Sequence, residues 1–400
     1  MRPLLRNLIA SALTLGASCD VIAQSPGYYN LTLPNPTSQG SSSLPVRIYY
    51  PATSAGQNTP MLTPPAAGYP TVVFLHGLFQ VGSAYSRLGK HLARNGYVVV
   101  MNETGPLSPT LQVDDGKALY HALTLANGQS ANLLEGVMDM NNVGLCGHSV
   151  GAGNTVTILA SNPGFKAGFC FAPIYPGAST TNQVTVPLGI VQGTGDLVLI
   201  WSLTGLPMFE EATNFSGLKT LYLFGFSGGH NNVPGLYVIT SSDTTVWQRS
   251  RRVMTGFFDR YLKGDVAQLD EVIGTTALAE PLLSSIYVEV EAPDVWLQGA
   301  PSIGQTVQVQ TSSEPGAVIY GAAAGGAGPI ATPFGDLLLD PATMFVAFTA
   351  TATSERFSSV PLSIPNDPQL IGTQIEFQSL GLSNNGSYRL TMATTLVVTN

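Results

Sequence analysis

Short apolar runs alternate with helix-forming segments through the first two thirds of this chain, and this alternation constrains the fold more than any other feature of the sequence. Several runs are almost continuously apolar, as parallel strands are when both faces of a sheet are covered. Strand–helix alternation of this length predicts an α/β fold with a doubly wound, mostly parallel sheet. The predicted strands are Val46–Tyr50, Thr71–Leu75, Tyr97–Met101, Val143–Gly147, Ala167–Phe171, Leu188–Gln192 and Thr220–Phe224.

Helices are expected between these strands. Ser83–Asn95 has apolar residues at helical spacing and is followed by Gly96, a residue suited to the position after a helix end. Asp114 or Asp115 is the expected N-cap of the next helix. Two further helices are predicted over Val150–Ala160 and Arg251–Leu262.

The pattern changes near residue 286, where helical periodicity ends and short β-like runs separated by turn residues begin. The charge changes as well: residues 289–400 contain nine acids, two arginines and no lysine, whereas residues 24–288 contain fourteen acids and twelve bases. We therefore predict an α/β domain over residues 24–285 and a small all-β, sandwich-like accessory domain over residues 286–400.

The first 23 residues have the organisation of a signal peptide. Arg2 and Arg6 precede the apolar stretch Leu8–Leu15, which is too short to span a bilayer, and small residues allow cleavage after Ala23. A lipoprotein anchored through Cys19 is less favoured, because the aliphatic residue that such sites carry three positions earlier is missing. We expect a secreted protein, extracellular or periplasmic, without a membrane segment once the signal is removed.

Charge is scarce in this sequence, at 10% of residues against about 25% in an average globular protein. The net charge is −8 and the longest basic run is Arg251-Arg252, which argues against a nucleic-acid partner. Cys146 and Cys170 lie in apolar runs, so two buried free thiols are favoured over one disulfide. A monomer is expected.

The segment Gly147-His148-Ser149-Val150-Gly151 lies directly after a predicted strand and directly before a predicted helix, which is the context of a nucleophile elbow. The turn is tight, so the residues two before and two after the serine must be small. It presents the serine hydroxyl and the N–H of Val150 to the same space. Ser149 is therefore the candidate nucleophile, and it needs a base. The alternative is an ordinary glycine-rich turn.

His230 is the candidate base among the five histidines of the chain. It follows the last predicted parallel strand, in a glycine-containing loop that can fold back over the sheet edge. The other histidines end a strand, lie in helical segments or belong to the elbow; they are His76, His91, His121 and His148.

Asp196 is the candidate acid, because it leaves the predicted strand Leu188–Gln192 at the same sheet edge as His230. The chain order Ser149, Asp196, His230 is the order used by α/β hydrolases. Asp139 precedes the elbow strand at its far end, and Asp243 follows the histidine, so both are less suitable.

The loop after Thr71–Leu75 is expected to supply a second oxyanion donor beside the N–H of Val150. The N–H of Leu78 is the first choice and that of Phe79 the second, while His76 supports the loop. Side chains proposed to line the substrate cleft, with core packing as the alternative, are Phe79, Tyr175 and Trp201.

These segments together resemble the dienelactone-hydrolase-like branch of the α/β hydrolases, with bacterial cutinases, polyester (PET) hydrolases, platelet-activating-factor acetylhydrolases and plant chlorophyllases as relatives. The resemblance extends over about residues 40–265. It is carried by Tyr69–Gly77, Leu92–Val100, Met138–Ser149, Val184–Pro187 with Asp196, and Phe257–Leu262.

The resemblance implies a lidless catalytic domain, a triad that needs no cofactor or metal, and ester substrates, including lipid-like or polymeric ones. The scarcity of charge favours an uncharged, partly apolar ester. Two alternatives remain open: an acyltransferase that uses the same triad, and a non-catalytic surface-binding protein on a hydrolase scaffold.

Overall fold

A computed structural model describes residues 25–105, 108–161 and 164–400 of the chain. The predicted signal peptide and Cys19 lie outside these residues. The chain forms two compact units, one reaching to Tyr287 and the other running from Val288 to Asn400. No helix in the described ranges is both long enough and apolar enough to cross a membrane.

The first unit is built on one ten-stranded sheet whose central strands are parallel. The six neighbours in the order β9-β8-β7-β6-β4-β5 all run parallel, and β2 and β1 continue the sheet in antiparallel pairing. The predicted mostly parallel α/β sheet is confirmed. The strands of this sheet are β1 (Ser25–Pro34), β2 (Ser43–Ala52), β3 (Gly56–Gln57), β4 (Tyr69–Leu75), β5 (Val98–Asn102), β6 (Met138–His148), β7 (Ala167–Phe171), β8 (Leu188–Gly193), β9 (Leu218–Phe224) and β10 (Leu283–Val290), whose last three residues are counted with the second unit.

Helices connect the parallel strands of this unit. The last long helix continues as a π-helical turn over Asp259–Lys263 and stops at Gly264, whose φ of +75° suits glycine. The helices are α1 (Ser86–Arg94), α2 (Pro109–Gly128), α3 (Val150–Ser161), α4 (Ala178–Thr181), α5 (Gly205–Glu211), α6 (Ser241–Phe258) and α7 (Thr275–Leu278).

The start of α2 differs from the prediction. The helix begins at Pro109, and the Ser108 side chain caps it by accepting a hydrogen bond from the N–H of Leu111. Proline fits the first turn of a helix because its missing N–H has no partner there. Asp114 and Asp115 lie inside the helix, where buried Asp115 accepts hydrogen bonds from the backbone and hydroxyl of Ser41. Neither residue is the N-cap.

The start of α6 also differs from the prediction, which placed it at Arg251. The helix begins at Ser241 because Thr240 and Asp243 form a capping box, in which each side chain bonds the backbone N–H of the other. The Ser- and Thr-rich first turns hid this helix from the sequence pattern, since these residues have only moderate helix propensity.

The core of the first unit lies between the sheet and its helices. Val73 and Leu75 of β4 and Leu145 of β6 are fully buried there with Ile158 of α3 and Leu119 of α2. Full burial of one such side chain contributes about 1.5–3 kcal/mol to the free energy of unfolding. Packing against helices on both faces holds the ends of the parallel strands at fixed positions.

The two cysteines of the described residues are buried on neighbouring strands and are free. Cys146 of β6 lies opposite Phe169 of β7, so Cys170 is offset by one position. Burial raises the pKa of both thiols, which keeps them protonated. This agrees with the favoured interpretation of two buried thiols.

The second unit is all β, as predicted. Its named strands pair antiparallel in a three-stranded sheet (β11-β12-β17), a five-stranded sheet (β16-β13-β18-β19, with β20 beside β18) and a hairpin (β14-β15). Its strands are β11 (Val295–Gln298), β12 (Thr306–Ser312), β13 (Val318–Ala324), β14 (Gly326–Thr332), β15 (Gly335–Leu339), β16 (Phe345–Thr351), β17 (Phe357–Ser363), β18 (Gln374–Leu382), β19 (Tyr388–Leu390) and β20 (Thr394–Val397). Side chains of its core include Val295, Val307, Val309, Phe377 and Leu396.

The expected domain boundary after residue 285 falls inside β10, the edge strand beside β9. Tyr287 of this strand packs against the rings of Trp201 and Phe209, with centroid distances of 6.4 and 6.0 Å. Part of the stability of the sheet edge therefore depends on residues beyond 285.

A chain ending at Ser285 is expected to melt at least about 5 °C below a chain ending at Glu291. The shorter chain cuts β10 and loses the Tyr287 ring, and a loss of about 2 kcal/mol corresponds to a shift of this size in a domain of this length. Thermal unfolding of the two truncated chains, followed by circular dichroism, measures the difference. Equal melting temperatures would contradict the prediction.

Candidate active site

Ser149 lies in the tight turn between β6 and α3. Its φ is +57°, a left-handed conformation that costs a non-glycine residue free energy and that is held by the surrounding backbone. The N–H of Ser149 donates to the carbonyl of Phe171 at 2.9 Å, and its own carbonyl accepts the N–H of Ile174 at 3.1 Å. The hydroxyl is thereby placed at the carboxyl edge of a central strand.

Two glycines allow this turn. A Cβ atom on Gly147 would overlap the carbonyl of Gly151, and a Cβ atom on Gly151 would overlap the carbonyl of Leu75 on the neighbouring strand. Backbone atoms cannot move aside as a flexible side chain does. The small residues around Ser149 are therefore a steric requirement of the elbow.

Asp196 and His230 meet at the same edge of the sheet. Asp196 leaves β8 and is almost fully buried, and its Oδ2 lies 2.9 Å from Nδ1 of His230 in the loop after β9. The other oxygen, Oδ1, accepts the N–H groups of Val198 at 2.9 Å and Leu199 at 2.8 Å.

These contacts decide the charge of the acid. Burial alone raises the pKa of Asp196, but the hydrogen bonds from His230, Leu199 and Val198 outweigh it and hold the pKa below its usual value. The carboxylate is thus ionised at neutral pH and accepts the Nδ1–H of His230. The Nε2 atom of the imidazole is left as a proton acceptor.

The loops that carry the acid and the histidine touch backbone to backbone. A Cβ atom on Gly193 would overlap the carbonyl of Gly228, and one on Gly195 would overlap the carbonyl of Phe226. Only glycine permits this approach, so the distance between the carboxylate and the imidazole depends on two residues that take no part in the hydrogen bond.

Asn232 braces the histidine loop from the other side. Its Oδ1 accepts the N–H of Gly229, and its Nδ2 donates to the carbonyl of Ser227 and to Asp243, each at 2.8 Å. The hydrogen bonds from Asn232 and from the N–H of Thr240 lower the pKa of Asp243 to about 2. The less favoured acid therefore holds the loop and caps α6, and in the structure it bonds Asn232 instead of the imidazole.

The two residues predicted to supply the oxyanion donors line the same small depression. Leu78 follows β4 and Val150 begins α3, and both line one small surface depression with Gln112. The His76 ring lies 2.9 Å from the carbonyls of Gly77 and Thr104 and so supports this loop, as expected. Acyl transfer needs a serine hydroxyl, an oriented imidazole and two backbone N–H donors; the donor role of Leu78 and Val150 stays a prediction.

The residues that the structure describes hold no cluster of three or more histidine, cysteine or carboxylate side chains suited to a metal ion.

A family model described as PETase, PET hydrolase-like, matches residues 18–259, which is more than half of the chain. This chain belongs to the PET hydrolase-like family. The matched range of this PET hydrolase-like protein includes Ser149, Asp196 and His230, and the second unit lies beyond it.

Curated proteins with related sequences have names that agree with this family. A bis(hydroxyethyl) terephthalate hydrolase of Streptomyces coelicolor is 31% identical over 38% of this chain and 44% of its own length. Cutinase est2 of Thermobifida alba is 25% identical over 40% of this chain and 52% of its own length. A cutinase of Thermobifida fusca is 24% identical over 42% and 54%. The chain spans about half the length of these relatives. The suspected relationship to cutinases and polyester hydrolases is confirmed.

The three predicted cleft side chains differ in exposure. Phe79, which directly follows Leu78 in the sequence, is 71% exposed. Tyr175 and Trp201 are partly buried and pack against the core, and Trp201 also contacts Tyr287. Of the three, Phe79 presents the most surface to a ligand; a substrate contact for the other two stays a prediction.

Three exposed apolar side chains near Asp196 and His230 were not predicted from the sequence. Leu197 and Val198 directly follow the acid and are 85% and 67% exposed, and Phe226 in the histidine loop is 84% exposed. A signal was present, since apolar residues are unusual in short loops that leave a strand. We call Leu197, Val198 and Phe226 the apolar rim.

His148 was predicted from the sequence only as part of the elbow. In this PET hydrolase-like protein its Nε2 lies 2.9 Å from the carbonyl of His230, and its Nδ1 lies 2.8 Å from the hydroxyl of Tyr85. Tyr85 is 63 residues away in the sequence, and no local pattern indicated the pairing.

Proposed function

We propose that this protein is a secreted serine hydrolase that cleaves uncharged, partly apolar carboxylic esters through an acyl-enzyme on Ser149. The observation that carries the proposal is the buried Asp196 carboxylate bonded to Nδ1 of His230, beside a strained elbow serine. Membership of the PET hydrolase-like family supports an ester as the substrate.

Acylation begins with attack by the Ser149 oxygen on the ester carbonyl carbon. As this bond forms, Nε2 of His230 takes the hydroxyl proton, and Asp196 stabilises the resulting imidazolium. The carbonyl oxygen becomes an oxyanion that accepts hydrogen bonds from the N–H groups of Val150 and Leu78. The oxyanion then collapses, the ester C–O bond breaks, and the leaving alcohol takes the proton from His230.

Deacylation repeats these steps with water as the nucleophile. His230 takes a proton from the water as its oxygen bonds to the acyl carbon, and the same N–H groups hold the second oxyanion. Collapse breaks the bond to Ser149, whose oxygen recovers the proton from His230. The free acid leaves, and no cofactor or metal enters the cycle.

The surroundings of Ser149 support an uncharged, partly apolar substrate. The apolar rim and Phe79 offer apolar surface next to the acid, the histidine and the oxyanion loop. Burying such surface against an acyl chain is favourable, whereas a charged group would lose hydration there. Lipid-like or polymeric esters fall within this class.

The amino-terminal sequence supports secretion through a signal peptide, with a lipid anchor on Cys19 as the less favoured form. We propose that residues 24–285 form the catalytic domain of a monomer and that residues 286–400 form an accessory domain.

A panel of p-nitrophenyl and ethyl esters of increasing chain length tests the activity. The expected products in water are the free acid and the alcohol, and rapid acid quenching should give a protein mass increased by one acyl group. The same reactions with added glycerol separate hydrolysis from transfer, because an acyltransferase yields glyceryl ester and little free acid. Predominant transfer, or binding of esters without any product, would contradict the proposal.

A further inference from the structure

Two buried side chains lie beneath the site and connect its parts. The N–H of Gly77 donates to the hydroxyl oxygen of Tyr85 at 3.1 Å, and this hydroxyl lies 2.8 Å from Nδ1 of His148. Nε2 of His148 lies 2.9 Å from the carbonyl oxygen of His230. Three hydrogen bonds thus link the oxyanion loop, the elbow and the histidine loop.

The groups at the two ends of this series of hydrogen bonds determine which partner donates in each bond. The Gly77 N–H can only donate and the His230 carbonyl can only accept. His148 must therefore carry its proton on Nε2, and the Tyr85 hydroxyl must donate to Nδ1 while accepting from Gly77. Burial lowers the pKa of His148 to about 3, so the ring is neutral at ordinary pH, as this arrangement requires.

We propose that Tyr85 and His148 are positioning residues that hold the Gly77–Leu78 backbone and the His230 backbone in fixed relation to Ser149. The inference rests on the proposed function, since it assigns these residues a part in the same reaction. They act through the oxyanion loop and the base, and neither is required to touch the substrate.

The placement of the bonds argues for this role over simple core packing. Gly77 directly precedes Leu78, the predicted oxyanion donor, and His148 directly precedes Ser149. A Cβ atom on Gly77 would lie 3.0 Å from the Tyr85 hydroxyl and 3.1 Å from Nδ1 of His148, so this backbone approaches both groups closely. A displacement of about 1 Å in a catalytic group can lower the rate about 100-fold.

Tyr85→Phe tests the hydrogen bond between Tyr85 and the oxyanion loop. The ring stays, while the Gly77 N–H and Nδ1 of His148 lose their partner. The expected result is a kcat lower by about 10- to 100-fold with a KM changed less than about threefold, because the lost interaction acts in the transition state.

His148→Gln and His148→Asn test the hydrogen bond between His148 and the carbonyl of His230. The glutamine amide nitrogen reaches about where Nε2 of His148 lies and keeps the donation to the His230 carbonyl. The shorter asparagine ends about where Nδ1 lies and loses it. We expect the glutamine variant to retain at least about tenfold more kcat than the asparagine variant at similar KM. Equal losses in both would overturn the proposal.

The variant combining Tyr85→Phe and His148→Asn tests whether the two side chains act as one unit. The combined loss in kcat is expected to be smaller than the product of the single losses, since either change already interrupts the series of three hydrogen bonds. Independent, fully multiplicative losses would overturn the coupling.

Tyr50→Phe is the matched control. Tyr50 lies on β2, is also fully buried, and donates its hydroxyl hydrogen to the carbonyl of Thr59 at 2.8 Å. In the sheet, β5 and β4 separate β2 from β6. This variant is expected to lose thermal stability with kcat unchanged. If Tyr85→Phe and His148→Asn likewise lower only the melting temperature, the positioning role is refuted.

Ser149→Ala separates this inference from the proposed function. If that variant keeps its activity, the proposed nucleophile is wrong, and this inference falls with it. If it is inactive while the Tyr85 and His148 variants turn over at the unmodified rate, only this inference fails. Should Tyr85→Phe not fold, the comparison between His148→Gln and His148→Asn still decides.

Discussion

Ser149→Ala is expected to lower kcat for a soluble ester by about six orders of magnitude, with little change in melting temperature. Without the hydroxyl no acyl-enzyme forms, and removal of the nucleophile from a comparable triad has an effect of about this size. The backbone conformation of residue 149 remains, because its hydrogen bonds to Phe171 and Ile174 involve only main-chain atoms. Initial rates and thermal unfolding of the purified variant measure both quantities.

Covalent labelling with a fluorophosphonate probe is an independent test of Ser149 as the nucleophile. The unmodified protein is expected to take up one label on Ser149, and Ser149→Ala none. Ser250→Ala is the control, since Ser250 is also buried and bonds a backbone carbonyl on α6 at 2.8 Å; this variant should label fully. Persistent labelling of Ser149→Ala would place the nucleophile elsewhere.

Asp196→Asn is expected to lower kcat by about four orders of magnitude while the fold is kept. The amide that replaces the carboxylate can present an N–H to Nδ1 of His230, which favours the tautomer with the proton on Nε2. That tautomer cannot accept the proton of Ser149. The measurement is kcat at a pH near 8 together with the circular dichroism spectrum.

Two other aspartates serve as controls for this variant. Asp115 is a buried carboxylate on α2 that accepts hydrogen bonds from Ser41. Asp115→Asn is expected to reduce stability without a matching loss of kcat. Asp243→Asn is expected to lower kcat less than tenfold, because Asp243 bonds Asn232 and the start of α6. A large loss in Asp243→Asn with a small one in Asp196→Asn would reverse the assignment.

The depressed pKa of Asp196 also predicts an acid dependence. A carboxyl whose pKa is lower in the folded state contributes stability above its ordinary pKa of 3.8 and loses that contribution as the pH falls through the lower, folded value. The difference in melting temperature between the unmodified protein and Asp196→Asn is therefore expected to shrink below about pH 4.

The strands and the elbow were predictable because their signals are local. Buried parallel strands are continuous apolar runs, and the glycines two before and two after Ser149 belong to the short pattern of a nucleophile elbow. The loop positions of Asp196 and His230 followed from the geometry of the sheet, since the carboxyl ends of parallel strands share one edge.

The rest depended on contacts that sequence patterns do not contain. α6 starts early because Thr240 and Asp243 cap each other, and the strand that ends the sheet runs through the expected domain boundary. The pairing of Tyr85 with His148 joins residues with no common motif, and both are buried as any core aromatic would be. Such tertiary hydrogen bonds leave periodicity and composition unchanged.

The backbone contact between the loops of Gly193 and Gly228 has a consequence for how this site can be altered. Under random substitution, both glycines should tolerate almost nothing, although neither takes part in the reaction. Leu197 and Phe226, in the same two loops, have largely exposed side chains, so their substitution is expected to leave the main chain in place. If the proposed function holds, substitutions of these two side chains should change which esters are cleaved, while the glycine contacts keep the spacing between Asp196 and His230.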